Sequence, residues 1–499
     1  MKQSISKTTT VTRENSNTAS KVPNSKQNNQ KKNSNHNKKR RSFERESSAS
    51  GTNHDPCNDP AWYATSLQEM ADAASIPYSW STGTAISLSG GVYNLDLPTN
   101  GIRAPGIMSI NLTPSIGHAT SPSAPVNVAA QSLYTFIRHQ NSGSANYDAP
   151  DLMLYVLAIG EVYSYINWLT RAYGFAGLYA GHNRYLPDGL LTSMGFNPEN
   201  VRQNIAQFRY GINLLINKAA SFCIPTGLPY FNRKAFLYSN VYTEGTSWKD
   251  QLYLFNPQGF YHFTLDADKA GKLEFDNLFR NDNPVDAPIT VDEAIQYGQG
   301  LLAPLIMSED MNIMSGDILK AYGANSIVKF TPVPTDYMIT PVFSIEVLEQ
   351  IKNGTVLNKK FASDITQDQH KGYLTCENKW AYDSTDLNHY RAAMFATDRL
   401  LTTTTSETTP SLTMENSRLT VIASGYAHTA NNSGTIFINP MTEYISSCQI
   451  FYYNTDSKIA IQEVADIVET GQRTDTQTAM RQIYMRNAFK FRPQTAYLA

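Results

Sequence analysis

Cysteine is scarce. Four occur in 499 residues, Cys57, Cys223, Cys376 and Cys448, with no C-x-x-C pair. Thiols spaced this widely build neither a disulfide framework nor a zinc knuckle; they suit free, buried thiols in a protein made in a reducing compartment. Long hydrophobic runs are missing too, since none reaches the about 18 residues that a membrane span needs. The N-terminus has no apolar h-region, so the chain is expected to be soluble and intracellular at synthesis, with sequons such as Asn111 and Asn353 unmodified. Also lacking are a Gly-rich phosphate loop, a nucleophile elbow, H-E-x-x-H, Cys/His metal spacing, an EF-hand loop and the kinase motifs. These absences leave no catalytic residue, no metal and no cofactor to assign.

The remaining candidates are weak. Nine histidines are scattered, and His139, beside Arg138 on an apolar helical stretch, reads as a packing residue before a general base. Asp266 with Asp268, and Glu309 with Asp310, read as solvated turn acids, with metal binding the rarer alternative. At Asn58-Asp59 a helix cap competes with asparagine-mediated backbone cleavage.

What is present, above all, is one long helical signal over Tyr147–Phe175. Leu152, Tyr155, Ile159, Val162, Ile166, Leu169 and Tyr173 recur at alternating three- and four-residue spacing. Met153, Leu154, Val156, Leu157 and Trp168 lie outside that stripe, so the helix is apolar on most sides and belongs at the centre of a core. Asp148 is placed to cap it, and Pro150 suits the first turn. Asp151, Glu161, Asn167 and Arg171 interrupt the run, which weighs against the rival transmembrane reading.

The net charge of -2 conceals an asymmetry. Met1 to Arg41 holds 11 Lys and Arg against one acid, Glu14, about +10. Subtracting these from the 41 bases and 43 acids of the whole chain leaves 30 and 42, about -12 for the rest. Residues 1–55 are rich in Asn, Ser, Lys, Thr and Gln, and their large apolar residues are nearly confined to Ile5, Val11, Val22 and Phe43. Such a segment buries too little surface to offset its ordering entropy and is expected to be disordered in isolation. Its charge concentrates at Lys31, Lys32, Lys38, Lys39, Arg40 and Arg41. Three readings fit: phosphate contact with nucleic acid, a solubilising tail, or a targeting or anionic-membrane signal. With Phe43 the sole aromatic near the cluster, nucleic-acid contact would be electrostatic and indifferent to base sequence. Ten such contacts to single strands set an upper bound of about -7 on the slope of log affinity against log salt.

Along the body, Asp59 opens a helix to about Ala74, and Gly106–Thr113 alternates like a short strand. Asn127 is placed to cap a helix through His139. Asn197-Pro198-Glu199 starts a second long helix with the stripe Val201, Ile205, Phe208, Ile212, Leu215, Ala219 and Phe222, ending near Pro225. From Phe236 to Leu265 the pattern turns β-favouring, and Asn256–Gly259 reads as a hairpin turn between Leu252–Phe255 and Phe260–Leu265. Thr290–Glu293 is a capping box for a helix stopping at Pro304; Met314–Asp317 opens another, closed by Gly323. Ile327–Gly372 is mixed. Further helices are expected at Ser384–Leu401, from Asn439-Pro440 to Tyr453, at Ile459–Glu469 and at Asp475–Asn487, with strands at Leu419–Ala423 and Thr435–Ile438. The class is α+β and helix-rich, with β structure concentrated at 230–280 and 415–438.

Several stretches resemble the capsid proteins of picobirnaviruses: Asn58-Asp59-x-Ala61-Trp62-Tyr63-Ala64, Pro105-Gly106 with Asn111-x-Thr113-Pro114, and Asn127-x-Ala129-Ala130-Gln131. So do Arg138-His139-x-Asn141-Ser142-Gly143-x-Ala145-Asn146-Tyr147, Asp151-Leu152-Met153-x-Tyr155, and Met314-Ser315-Gly316-Asp317-x-x-Lys320-Ala321-x-Gly323-Ala324 with Val328-Lys329. The likeness is specific from about 58 to 330 and weak beyond. It implies a structural protein and no enzyme: a predominantly α-helical shell domain, a smaller β-containing projecting domain and a disordered basic N-terminal arm. It further implies dimers that close into an icosahedral particle around double-stranded genomic RNA and the viral polymerase. No membrane partner is implied; the place is the virion, after synthesis in the host cytoplasm. The expected layout is an arm at 1–55, shell domain at 56–230 and 286–335, a β-rich hairpin or projecting segment at 231–285, a mixed projecting region at 336–435, and C-terminal helices returning to the shell at 436–499. The six basic residues at 31–41 are the expected RNA contacts. Two other classes remain open: an RNA-coating nucleoprotein that forms no closed shell, and an enzyme whose site is assembled from residues distant in sequence.

Overall fold

Local signals place the first elements of the computed structural model. It describes residues 85–86, 102–103, 107–143, 146–178, 186–243, 252–266, 270–279, 287–354, 362–368, 372–383, 409–428, 433–438, 441–453 and 460–465. In chain order come Ala85–Ile86 (β1), Ile102–Arg103 (β2), Ile107–Pro114 (β3), Pro125–Gln140 (α1), Ala149–Ala176 (α2), Leu186–Ser193 (α3), Pro198–Gln203 (α4), Ile205–Ala219 (α5) and Pro229–Ser239 (α6). Next are Tyr242–Thr243 (β4), Leu252–Pro257 (β5), Gly259–Leu265 (β6), Gly271–Asn277 (β7), Val291–Met307 (α7), Glu309–Tyr322 (α8) and Ile345–Asn353 (α9). The rest are Ile365–Asp368 (β8), Tyr373–Thr375 (β9), Lys379–Asp383 (β10), Pro410–Asn416 (α10), Ile422–His428 (β11), Ser433–Ile438 (β12), Glu443–Tyr453 (β13) and Ala460–Ala465 (β14). The class is α+β with helices predominating, as expected.

Helix α2 is the centre. Asp148 accepts a hydrogen bond from the Asp151 amide at 3.2 Å, and Asp151 accepts one from the Asp148 amide at 3.1 Å, a closed capping box. Every residue of α2 is buried except Asp151, Asn167, Thr170 and Ala176, which are half-buried. The helix is long and apolar enough to cross a bilayer, yet 94% of its most apolar stretch is buried within the protein. It packs against α1, against α3 through α8, and against β6, β7 and β9.

The largest sheet has the order β14-β13-β3-β5-β4; β3 and β5 run parallel and the other neighbours antiparallel. All eight residues of β3 and all six of β5 are buried, as befits strands covered on both faces. The alternation of β3 therefore does not mark a wet face. Asn256 donates to Ser109 Oγ at 2.7 Å and Asn111 donates to Ser447 Oγ at 2.9 Å, so the polar positions form a buried seam. The other sheets are β6-β7-β8-β9, β10-β12-β11 and β1-β2.

Several expectations fail for identifiable reasons. Asn127 lies inside α1, whose cap position is Ala124. Its amide donates to the Ser121 and Leu374 carbonyls and accepts from the Leu374 amide, each at 2.9 Å, which ties α1 to β9. Asn197 does cap the next helix, accepting from the Glu199 and Asn200 amides at 3.1 and 3.2 Å. That helix breaks at Asn204 into α4 and α5 and ends at Ala219. Residues expected as strand from Phe236 belong to α6, opened by Pro229.

The hairpin at 256–259 does not exist. Strand β5 pairs in parallel with β3, whereas β6 pairs with β7 in another sheet. Gln258 bridges the two, donating from its amide to the Leu112 carbonyl at 2.8 Å and accepting from the Leu278 amide at 3.0 Å. A Cβ at Gly259 would collide with the Asp276 carbonyl, so the crossing needs glycine. Strand β5 and the first half of β6 are buried and α6 and β6 pack on α2, so these parts of 231–285 contribute to the core.

The Thr290/Glu293 capping box forms, but α7 runs past Pro304 to Met307, with the proline inside the helix. Ser308 then caps α8, which starts at Glu309, five residues before the expected Met314, and Gly323 ends it at φ 77°. The helices expected at 439–453 and 459–469 are the strands β13 and β14. Tyr444, Ile445, Phe451, Tyr452 and Tyr453 favour strand, and the partner of β13 is β3, whose register Asn111↔Ser447 spans 336 residues. Of 436–499, the described residues 443–453 and 460–465 are strands that join the sheet of β3. Beyond the two regions where β structure was expected to concentrate, strands include β3, which was expected, and β8–β10, β13 and β14, which were not. The helices expected at 59–74, 384–401 and 475–487 lie outside the described residues.

Candidate functional site

An arginine inside an apolar helix must find partners or unfold it. Arg171 is fully buried. Its guanidinium donates to the Leu237 carbonyl at 3.3 Å, the Asn240 carbonyl at 3.1 Å, the Phe255 carbonyl at 2.7 Å and Asn256 Oδ1 at 2.8 Å. The same Asn256 oxygen accepts from Trp168 Nε1 at 3.2 Å, while its amide donates to Ser109 Oγ and to the Ser193 carbonyl at 2.6 Å. Burial pushes the Arg171 pKa down to about 9, so the group stays charged at neutral pH and carbonyl dipoles carry the compensation. One side chain thereby joins α2 to the end of α6 and to β5.

Two neighbours on α6 make the other locks. Lys234 pairs with Glu161 of α2, and Tyr230 donates to the same carboxylate at 2.8 Å. Burial lowers the Lys234 pKa, and the Glu161 charge works against that shift. Arg233, about 100° round the helix, pairs with Glu443 of β13 at 2.9 Å and donates to Gln350 of α9 at 2.6 Å. Burial would raise the Glu443 carboxyl, but the charges of Arg233 and Arg418, with hydrogen bonds from Thr442 and Arg233, hold it below the usual range. Consecutive cations on one helix thus fasten the central helix on one side and the C-terminal strand on the other.

Among the described residues, no group of three or more His, Cys, Asp and Glu side chains is arranged to hold a metal ion. Cys223, Cys376 and Cys448 are buried, and burial pushes the Cys376 thiol up to about 12, far from a reactive thiolate. Concavities open on the surface formed by the described residues. One, of about 670 Å³, lies between α2, β6 and the α7–α8 junction; another, of about 550 Å³, lies where α6, α9 and α10 meet.

Lys31, Lys32, Lys38, Lys39, Arg40 and Arg41 lie outside the described residues, as do Asn58, Asp59 and Asp268. His139 is exposed on the last turn of α1, so it packs against no core; its place suits the negative end of the helix dipole. Glu309 and Asp310 form the first turn of α8, where acids face the positive end of the dipole. Asp266 closes the β6–β7 turn by accepting from the Ala270 amide at 2.8 Å. What sequence reasoning missed are the locks. Glu161 and Arg171 stood out as charges within an apolar helix, which implies buried partners, but nothing local to either one named them.

The family model described as picobirnavirus capsid protein matches residues 62–451, well over half of the chain. The capsid protein precursor of a human picobirnavirus is 29% identical over 330 residues, covering 62% of this chain and 56% of that protein. The chain therefore spans little more than half the length of that relative. The crystal structure of the picobirnavirus capsid has the same fold, with a TM-score of 0.68, 22% identity, and coverage of 87% of this chain and 89% of that one.

Proposed function

Because the chain belongs to the picobirnavirus capsid protein family, we propose that it is a coat subunit that dimerises and closes into an icosahedral shell around double-stranded RNA. The family match over residues 62–451 carries the reading. Two further features agree with it. The core is cross-braced by buried polar locks, a build suited to a rigid wall. The charge is split, with about +10 in residues 1–41 and about -12 in the remainder.

In this reading Lys31, Lys32, Lys38, Lys39, Arg40 and Arg41 contact RNA phosphates without reading sequence, and inward-facing arms offset phosphate repulsion during packaging. The acidic body stays off the nucleic acid. The shell comprises 56–335 together with α9, β8, β9 and β13, which share its core, and the rest of 336–435 supplies the projecting part. The particle also encloses the polymerase, and the subunit is made in the host cytoplasm before joining the virion.

The test is electron microscopy and sizing of the purified full-length chain and of a chain lacking residues 1–45. Closed particles are expected from the full-length chain, with RNA content falling sharply in the shortened one. A chain that stays monomeric at high concentration would overturn the reading, and filaments or beads on RNA would favour a nucleoprotein instead.

A further inference from the structure

Lysine and arginine answer burial differently. A guanidinium keeps its proton in a protein core, whereas a desolvated lysine gives its proton up readily and becomes a nucleophile. Helices α2 and α6 bury both kinds of cation, Arg171 and Arg233 on one hand and Lys234 on the other. Arg233 faces the carboxylate of Glu443, and Lys234 faces that of Glu161. The Lys234 and Glu161 side chains are only 2% and 1% exposed. Glu161 Oε2 is buried and finds no hydrogen-bond donor among the described residues. A carboxylate with one oxygen left bare in a core is an expensive ion, which favours its neutral form.

Tyr230 touches both members of the pair. Its hydroxyl accepts from Lys234 Nζ at 2.6 Å and donates to Glu161 Oε1 at 2.8 Å. Nζ lies 4.2 Å from the centre of the Tyr230 ring. A path for a proton from amine to phenol to carboxyl oxygen is therefore in place. The surroundings are aromatic and dry: burial first, and the nearby Glu161 charge after it, push the Tyr238 and Tyr261 hydroxyls up. Burial also lowers the Lys234 pKa. In such a medium a neutral amine beside a neutral acid competes with the ion pair.

We propose that Lys234 and Glu161 condense within the folded chain into an amide that joins α6 to α2 covalently. Proton transfer from Nζ to the carboxylate gives the amine and the acid. The Nζ lone pair then attacks Glu161 Cδ, forming the C–N bond. Tyr230 takes a proton from Nζ and passes its own to Oε1, whose bond to Cδ breaks. Ammonium and carboxylate thus become one amide and one water, with no oxidant, reductant or cofactor. Partners held side by side react with effective molarities on the order of 10⁵ M or more, and a core closed to bulk water slows the reverse step. The Arg233–Glu443 pair is an internal comparison, since a protonated guanidinium has no lone pair to offer. Lys234 and Glu161 stand 73 positions apart in the chain, so the bond closes a long loop and restricts the unfolded state.

The test uses the full-length chain, kept folded at neutral pH, sampled over time, then unfolded, digested with trypsin and read by mass spectrometry. The expected product is one branched peptide carrying both Glu161 and Lys234, lighter by one water, about 18 Da, than the two separate peptides together. Trypsin should also lose its cut after Lys234. Recovery of only the two separate peptides after prolonged incubation would overturn the link. Tyr230→Phe should slow linkage about a hundredfold or more, as loss of a positioned proton relay does; linkage at the parental rate would overturn the step as written. Lys234→Arg keeps a cation beside Glu161 and should give neither branched peptide nor loss of water; the same loss of water in that variant would place the bond elsewhere and overturn the assignment. Thermal melts report whether each variant folds, and the parental chain alone decides whether the bond exists. Particle formation plays no part in the readout, so this inference and the coat-subunit reading stand or fall separately.

Discussion

Helix α2 and strand β13 are both buried, both central to a layer, and both carry a carboxylate locked to α6. Glu161 of α2 meets Lys234, and Glu443 of β13 meets Arg233, one residue away. They differ in where their backbone hydrogen bonds go. A helix satisfies its own amides and carbonyls within four residues, so caps and periodicity define it locally. A strand has no such closure: β13 is completed by β3, which lies more than 300 residues upstream in the chain. Two elements of similar burial thus depend on information of very different range, and the long-range one was misread as a helix.

Removing β13 tests that difference most harshly. A chain ending at residue 440 loses two of the five strands in its largest sheet and exposes β3. The loss should exceed the about 5–15 kcal/mol that holds a typical domain together, so circular dichroism should show no cooperative melt. A truncated body that still melts sharply would mean that α2 organises the core without the C-terminal strands.

Single cuts in the two locks come next. Lys234→Met leaves Glu161 without its cation, and Arg233→Met leaves Glu443 to Arg418 and Thr442; each should lower unfolding free energy, by up to about 3–5 kcal/mol, in denaturant titrations. Similar losses would show helix and strand to be fastened equally. A much smaller loss for Arg233→Met would place the weight on strand pairing.

Acid should separate them further. The Glu443 carboxyl is held below its ordinary value of about 4.3. A depressed acid contributes stability that is complete above the unfolded value and fades as pH falls through the folded one. Stability should therefore drop with acidification below about pH 4, and Glu443→Gln should flatten that part of the curve while lowering stability at neutral pH. An unchanged slope in the variant would show that Glu443 is not held low by its partners.

The smallest effects belong to local signals. Asp148→Ala and Thr290→Ala each remove a helix cap and should cost about 1 kcal/mol in thermal or chemical melts. Neither should alter particle architecture. A cost near that of the buried pairs would mean that caps govern more than helix ends.

Legibility followed range. The Asp148 cap, the capping box at Thr290, the Asn197 cap and the Gly323 stop were readable because each involves residues within four positions of one another. The run at Leu252–Leu265 was readable as strands but not as their pairing, since a bend between sheets and a hairpin turn share one local pattern. Asn127 shows the same limit: it looks like a cap, and only the arrival of Leu374, 247 residues later in the chain, decides its role. Among the locks, Glu161 and Arg171 could be flagged as charges needing company, whereas Lys234, Asn256 and Glu443 carried no local mark.

The sequence by itself determined the central helix, the apolar supply for a large core, and the division between a basic leader and an acidic body, because these follow from composition and from spacings shorter than two helical turns. The tertiary structure alone decided which strands join, which cation meets which acid, and which apolar side chains stay in water. Those outcomes depend on residues hundreds of positions apart arriving at one place, and desolvation of a charge or a strand edge favours a single arrangement only once every partner is there.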